Sequence, residues 1–492
     1  MVNLKAQKPA EIPRTVEPTE LPEDELRWCT VSLNEVLQQS SRLEASVFDI
    51  EGKHAREALK RCKWPIKAVS GQNGLADCYH RPRFKRIWVE KSDLPIYQPS
   101  QITEINPKPT AYLSSLTGTD IDTLRVNKGQ LLLTCSGTIG NCTYVGNTLN
   151  DRIFSHDVIR ITCKNEIDSG YLYAFFKTMT GQALIRSNEY GAVVSHIEPE
   201  HLEHIPIPDP PYILKKRIHD LVIHSYILRD ESNAMLEQAK SLLYDALKLP
   251  PIEKLRPHYF APNVGLRNYA VRLSRIDGRL DASYHVPIVD AILSRLEKEA
   301  AKITTIGDPR ICKRIILPGR FARVYMQEGQ GTVFFGGKQL YELDPANKKY
   351  LSFTKHGDRI KRELLLKENT ILITRSGTIG KVALVPAHWE KWVVNEHIIR
   401  VEPASPDIAG YLFVFLSSEY GHQLIKRYTY GAVVDEIDDR HVSQVAIPLL
   451  KDLKIQTEIN RLALKANTKR TEAYNAEQEA ILITNENVIH AT

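Results

Sequence analysis

Three sets of residues in this chain have types and spacings that could do chemistry. Asp209-Pro210-Pro211-Tyr212 has the form with which adenine-N6 methyl transfer holds its target base. That reaction also needs a strand followed by a glycine-rich loop for the methyl donor. The recurrent glycine loop here, Ser-Gly-Thr-Ile-Gly, is too short and has no acidic residue placed to hold a ribose, so the tetrapeptide reads as a linker. The second set is basic: Arg81, Arg83, Lys85 and Arg86, then Lys313, Arg314, Arg320 and Arg323, with Phe84 and Phe321 interleaved. Such residues either contact phosphates or form plain solvated edges, and their recurrence favours phosphates. The third set, His201 and His441, has no second histidine or carboxylate at ligand spacing in both places, so both read as structural. No phosphate loop, HExxH zinc site or GxSxG elbow occurs, and the residues indicate no catalytic, metal or cofactor site.

These sets repeat because the chain repeats. Leu131–Gly140 reads LLLTCSGTIG and Ile371–Gly380 reads ILITRSGTIG, 240 residues on. Gly170-Tyr171-Leu172 returns as Gly410-Tyr411-Leu412, Tyr190-Gly191-Ala192-Val193-Val194 as the run from Tyr430 to Val434, and Ile207-Pro208 as Ile447-Pro448. Laid over one another without a gap, 129–208 and 369–448 are identical at 26 of 80 positions. The copies open at Arg42-Leu43-Glu44-Ala45-Ser46 and Arg279-Leu280-Asp281-Ala282-Ser283, where the offset is 237; the difference marks small loop insertions. Two copies predict a pseudo-twofold molecule with two similar binding surfaces, which suits a two-part ligand.

The elements that must carry these residues are mixed α/β. Leu131–Thr134 and Ile371–Thr374 read as strands ending in a glycine turn, and the runs from 158 and from 398 as further buried strands. Residues 170–185 and 410–425 have apolar residues at helical spacing, including Leu172, Phe175, Phe176 and Met179. After each copy comes a heptad pattern. In the first, Leu214, Leu221, Leu228, Met235 and Leu242 accompany Ile218, Ser225, Ser232, Ala239 and Ala246. In the second, Ile455, Leu462, Ala476 and Ile483 accompany Ile459, Ala466, Ala473 and Ala480, with Lys469 expected to loosen the seam. One small and one large residue per heptad predicts two long helices pairing antiparallel as a coiled coil.

Composition bounds the rest. At 492 residues, 42% apolar and 25% charged, the chain is long enough for several cores, and a net charge of +6 is only a mild bias towards polyanions. Seven cysteines with no CxxC pair argue against structural zinc and a disulfide framework, and point to a reducing cytoplasm. Cys135 and Cys142 become Arg375 and Val382 in the second copy and read as filler. No apolar run is long enough to cross a membrane, and no signal pattern opens the chain.

Taken together, the Arg-Leu-Asp/Glu-Ala-Ser openings, the strand-then-Ser-Gly-Thr-Ile-Gly blocks, the Tyr-Gly-Ala-Val-Val blocks and the Ile-Pro exits into long helices resemble the specificity (S) subunits of type I restriction-modification systems. The resemblance runs from about residue 40 to 490. It implies two target recognition domains, each reading half of a bipartite sequence in double-stranded DNA. It also implies two antiparallel spacer helices that dock two methyltransferase subunits, with restriction subunits as further partners and S-adenosylmethionine bound by the partners rather than by this chain.

The expected layout is an extended lead-in at 1–40, recognition domains at 41–212 and 279–450, spacer helices at 213–250 and 451–492, and a linker at 251–278. Departures from the family pattern are the long lead-in and a weak start to the first helix at Ile213-Leu214-Lys215-Lys216. DNA contact is expected from the basic sets and from Ser136, Thr138, Arg375, Ser376, Thr378 and Lys381 around the glycine turns. The turn is common to both copies, so its serines and threonines read as framework or phosphate contacts, whereas Arg375 and Lys381 could read bases. The large heptad residues Leu214, Leu221, Leu228, Met235, Ile455 and Leu462 are the partner-contact candidates. The rival readings are an adaptor whose globules bind proteins, and a self-sufficient adenine methyltransferase built on 209–212.

Overall fold

The computed structural model describes residues 30–38, 43, 45–191, 194–255, 269–276, 278–431 and 433–491. Each copy is built in three layers. Its central sheet has four antiparallel strands, in the order Ala76–Tyr79, Val158–Cys163, Leu131–Thr134, Cys142–Tyr144 in the first copy. The second copy uses Cys312–Ile316, Ile398–Pro403, Ile371–Thr374 and Val382–Leu384 in the same order. The duplication extends to register: Leu131 pairs with Tyr144 and Ile161, and Ile371 with Leu384 and Val401.

The strand Leu131–Thr134 is buried throughout, with leucine at its first three positions, because both of its faces are covered. Leu131 and Leu133 pack towards the helix Glu166–Lys177, while Leu132 packs towards a second, smaller sheet with Tyr97 and Phe154. Ile371, Ile373 and Leu372 divide in the same way. The smaller sheet comprises Trp88–Val89, Ala111–Leu113, Pro95–Tyr97 and Ile153–Phe154, and its counterpart Tyr325–Met326, Lys349–Leu351, Thr332–Phe335 and Val393–Val394. A buried arginine ties the layers in each copy: Arg160 donates to the carbonyl of Phe154 (3.3 Å), and Arg400 to that of Val394 (2.7 Å). Burial pushes both guanidinium groups down to about 10, which leaves them charged at neutral pH.

The helix expected over 170–185 is two helices, Glu166–Lys177 and Met179–Arg186. Thr178 stands between them in extended backbone (ψ 157°), and its hydroxyl accepts from Gly181 N as an N-cap. Met179 is therefore 76% exposed instead of joining the apolar face. Ser418 breaks and caps the second copy in the same way.

The lead-in expected at 1–40 falls largely outside the described residues, but 33–38 departs from extended chain. Leu33–Gln38 is helical because Ser32 and Glu35 form a capping box, with Ser32 N donating to Glu35 (2.8 Å) and Glu35 N to Ser32 Oγ (3.2 Å). Half of the 251–278 stretch likewise lies outside the description, although Ile252 packs into the second core.

Two long helices, Tyr212–Ala246 and Leu453–Ile483, run antiparallel: Arg217, Ser225 and Glu231 on the first meet Glu479, Ala473 and Lys469 on the second. Their small heptad residues form the seam. Ser225, Ser232, Ala239, Ala466, Ala473 and Ala480 are all fully buried, and Ser225 Oγ donates to the carbonyl of Ala473 (2.7 Å). Lys469 does not loosen the contact, because it forms an ion pair with Glu231 across the seam.

With the small residues facing each other, the large ones turn to the recognition domains. Of the six expected partner contacts, two are taken into the chain's own interior and four stay partly exposed. Leu228 (5% exposed) is buried with Leu343, and Leu462 (4% exposed) joins the second core. Leu214 and Leu221 pack on the first core, Met235 and Ile455 on the second.

The recurrent Gly-Tyr-Leu motif explains how each helix docks. A Cβ on Gly170 would lie 2.6 Å from His219 Cα, and one on Gly410 would lie 2.5 Å from the carbonyl oxygen of Asn460. The next residue reaches the Ile-Pro exit, with Tyr171 and Tyr411 donating to the carbonyls of Pro208 and Pro448 (2.5 Å each). The copies also touch directly near the pseudo-twofold axis, where Glu104 lies opposite its own counterpart Glu342 and Ile105 N donates to Tyr341 O (2.9 Å). The six described cysteines are free, and among the described residues no helix is long and apolar enough to cross a membrane.

Candidate nucleic-acid interface

The Ser-Gly-Thr-Ile-Gly turn is held by the threonine that ends the preceding strand. Thr134 Oγ1 donates to the Thr138 carbonyl (2.6 Å) and accepts from Asn141 N (3.0 Å); Thr374 makes the same pair with Thr378 (2.5 Å) and Lys381 (2.9 Å). Gly137 and Gly377 lie at φ 71° and 72°, where a side chain would be strained although the space beside them is open. Thr138 and Thr378 are exposed at the tip, and Ser136 and Ser376 are partly buried beneath it.

Distant segments close on this turn. The loop that begins at Tyr190 returns through His196, which pairs with both Tyr190 and Ser136, and Ile197 N donates to Cys135 O (3.0 Å). In the second copy Glu436 pairs with Tyr430 and Ser376, and Ile437 N donates to Arg375 O (2.9 Å). The loop tips at 192–193 and 432 lie outside the described residues. His201 and His441 are structural: Glu198 N donates to His201 Nδ1 (3.0 Å), and His441 pairs with Asp438 (3.0 Å) and stacks on Tyr428.

The basic sets resolve into a repeated Arg-Phe-x-Arg motif, Arg83–Arg86 and Arg320–Arg323. Its second arginine is tied down in both copies. Arg86 pairs with Asp157 (3.1 Å) and meets His156 (3.0 Å), while Arg323 pairs with Glu396. Its first arginine is exposed in both. The charge of Arg83 acts on Tyr190, whose hydroxyl is pushed up to about 12 chiefly by donating to Glu198 (2.6 Å). Arg320 lies 3.6 Å from Glu436, the same carboxylate that binds Arg375. Glu436 occupies the position of His196, so the second site contains a carboxylate where the first has an imidazole.

The structure thus gathers Arg83, Arg86, Ser136 and Thr138 around one turn, with Lys85 exposed on the same basic motif, and Arg320, Arg323, Arg375, Ser376 and Thr378 around the other. It leaves out four expected residues. Lys313 and Arg314 lie on a strand near the opposite end of the sheet, where Arg314 pairs with Glu402 (3.0 Å). Lys381 turns towards the contact between copies, its ammonium 5.0 Å from the Tyr341 ring. There it opposes the burial that pushes Glu104 up to about 7. Arg81 lies over the Tyr79 ring (5.0 Å).

The sequence reading missed the anchoring groups Asp157, Glu396 and Glu436, which are not identical between copies. It also missed the partly exposed Trp88 and Tyr325 on the strands just beyond each basic motif. Burial pushes the thiols of Cys135 and Cys142 up to about 12, so neither is a nucleophile at neutral pH. Among the described residues no group of three or more His, Cys, Asp or Glu could hold a metal ion.

Comparison with known proteins gives one family match. The family model for the type I restriction modification DNA specificity domain matches residues 83–222 and 321–485, more than half of the chain. No curated protein matches. Among solved structures, the type I restriction-modification S subunit from M. genitalium is 13% identical over 88% of this chain and 96% of its own, with a TM-score of 0.31. The HsdS subunit from Thermoanaerobacter tengcongensis is 15% identical over 81% and 91%, with a TM-score of 0.26.

Proposed function

Since the chain belongs to the type I restriction-modification DNA specificity family, whose members select sequence and leave catalysis to other subunits, we propose that its two domains each read one half of a bipartite duplex target. One observation carries this reading: in each copy an exposed arginine, a glycine turn and the returning Tyr-Gly loop meet at one end of the central sheet. Arg83, Lys85 and Arg320 contact phosphates and set register, with Thr138 and Thr378 beside them. The arginines held by carboxylates, Arg86, Arg323 and Arg375, shape the site, and Trp88 and Tyr325 offer apolar contact to bases or sugars. The exchange of His196 for Glu436 gives the two sites different electrostatics, in keeping with unlike half-sites.

In this reading the domains comprise 41–212 and 279–450, and the helices between them set the spacing. The partners are two adenine methyltransferase subunits in the cytoplasm, with restriction subunits as a further addition. Their contact is assigned to the exposed apolar residues of the long helices. Tyr212 and Leu453, which occupy equivalent positions, are 64% and 68% exposed. Mapping methylated positions in a host that carries the complete system tests the proposal. The expected result is one adenine mark in each half of a two-part sequence, abolished when this chain is deleted. Methyl transfer by the purified chain alone, dependent on 209–212, would overturn it.

A further inference from the structure

The two copies differ sharply in chemistry where each long helix crosses its domain. In the first copy Glu477 is buried between Arg229 (2.9 Å), Lys177 (3.8 Å) and the Tyr173 hydroxyl. The copies map at an offset of 240 in the domains and 241 along the helices, as the matched positions of His219 at Gly170 and Asn460 at Gly410 establish. Arg229 then becomes Arg470, but Glu477 becomes Leu236, Lys177 becomes Ser417, Tyr173 becomes Phe413 and Tyr144 becomes Leu384. The cation is retained, while its carboxylate and most of the surrounding bulk are lost.

A cavity of about 210 Å³ opens there, lined by Arg470, Leu236, Leu384, Trp389, Phe413 and Ser417. This is many times the ~10–15 Å³ that holds one water. Nε of Arg470 donates to Ser232 Oγ (3.0 Å), and among the described residues no carboxylate lies within ion-pair distance of its guanidinium. The carboxylates in the wall are engaged elsewhere. Glu237 pairs with Lys108 (3.1 Å), and Glu342 accepts from Ala346 N (2.6 Å) and Thr103 (3.1 Å). Burial pushes the Arg470 guanidinium down to about 10, so it keeps its charge at neutral pH. A partly buried guanidinium favours a carboxylate over any neutral acceptor, and the remaining walls are mainly aliphatic and aromatic.

We propose that this cavity binds a small organic anion, a carboxylate on an apolar body, whose charged end takes the place that Glu477 fills in the first copy. The body packs on Leu236, Leu384, Trp389 and Phe413. Because Ile105 of the first copy also lines the cavity, the occupant sits between the two domains. The proposal is independent of the function assigned above.

Calorimetric titration of the full chain with 3-phenylpropionate and its neutral amide, 3-phenylpropionamide, tests it. The acid should bind at one site and the amide at least tenfold more weakly. Leu236→Glu, which restores the carboxylate of the mate, should abolish binding of the acid and raise the thermal midpoint. Arg470→Gln should abolish binding while the circular dichroism spectrum is retained; if that variant does not fold, Leu236→Glu decides alone. The proposal is overturned if the acid does not bind, if the amide binds as well, or if Leu236→Glu binds like the parent. Protection of the cavity only by an acidic segment of a protein partner would overturn it too.

Discussion

Arg320 and Arg323 stand three residues apart and differ in what holds them. Arg320 is largely exposed, whereas Arg323 neutralises Glu396, whose side chain is only 4% exposed. Arg320→Ala should lower the slope of log affinity against log salt by about one, the value for one lost phosphate contact, with sequence preference unchanged. Fluorescence anisotropy across a salt series measures this, and an unchanged slope would remove Arg320 from the interface. Arg323→Ala leaves Glu396 buried without a counter-charge and should cost roughly 2–4 kcal/mol of stability, read from urea unfolding. The basic motifs were visible in the sequence. Which of their arginines are exposed and which are tied down was not, because the anchors of the second arginines come from residues 71 and 73 positions away and differ between the copies.

Between elements, the close crossing at Gly170 and Gly410 is the joint on which each long helix rests. Gly170→Ala or Gly410→Ala sets a methyl against backbone atoms and should destabilise by about 1–3 kcal/mol, seen as a lower unfolding midpoint. A midpoint equal to that of the parent would show that the helix can move away freely. The second test at this scale is titration. Burial alone would raise the Glu477 carboxyl, but Arg229, Lys177 and the Tyr173 hydroxyl overcome it and hold the group at about 2. An unfolded glutamate titrates near ~4.3, so this contribution is complete above that value and is lost as pH falls from ~4.3 through ~2. Glu477→Gln should lose roughly 3–5 kcal/mol at neutral pH and show a shallower decline in stability between about pH 5 and pH 2. Parallel pH profiles for the two proteins would show that Glu477 is not the group responsible.

For the whole molecule the question is what sets the distance between the two reading sites. Seven residues extend a helix by ~10.5 Å, about three base-pair steps, and keep the heptad face. Matched seven-residue insertions after Ser232 and Ala473, which are equivalent positions, should leave both half-sites intact and lengthen the spacer by about three base pairs. They should also separate Ile105 from Tyr341, so the variant should show faster amide exchange around residue 105. Methylome sequencing reports the spacer. Half-sites that change over a constant spacer would contradict both the ruler and the two-reader reading.

The duplication, the buried strands, the glycine turns and the paired helices were all legible in the sequence, because each is a local pattern. A strand buried on both faces must be largely apolar, a turn at positive φ needs glycine, and a helix seam repeats every seven residues. What the long-range fold decided is the assignment of faces. The small heptad residues took the helix–helix seam and so turned Leu228 and Leu462 into the chain's own cores. Thr178 broke a helix that periodicity alone would have continued, since its cap competes with the next helical turn. Lys381 lies over Tyr341 of its own copy and acts on Glu104 of the other, away from the glycine turn it follows, because the fold packs the loops around 104 and 341 against each other beside it. Ion pairs such as those of Arg323 and Arg375 depend on side chains brought together from separate loops, and spacing along the chain carries no record of that distance.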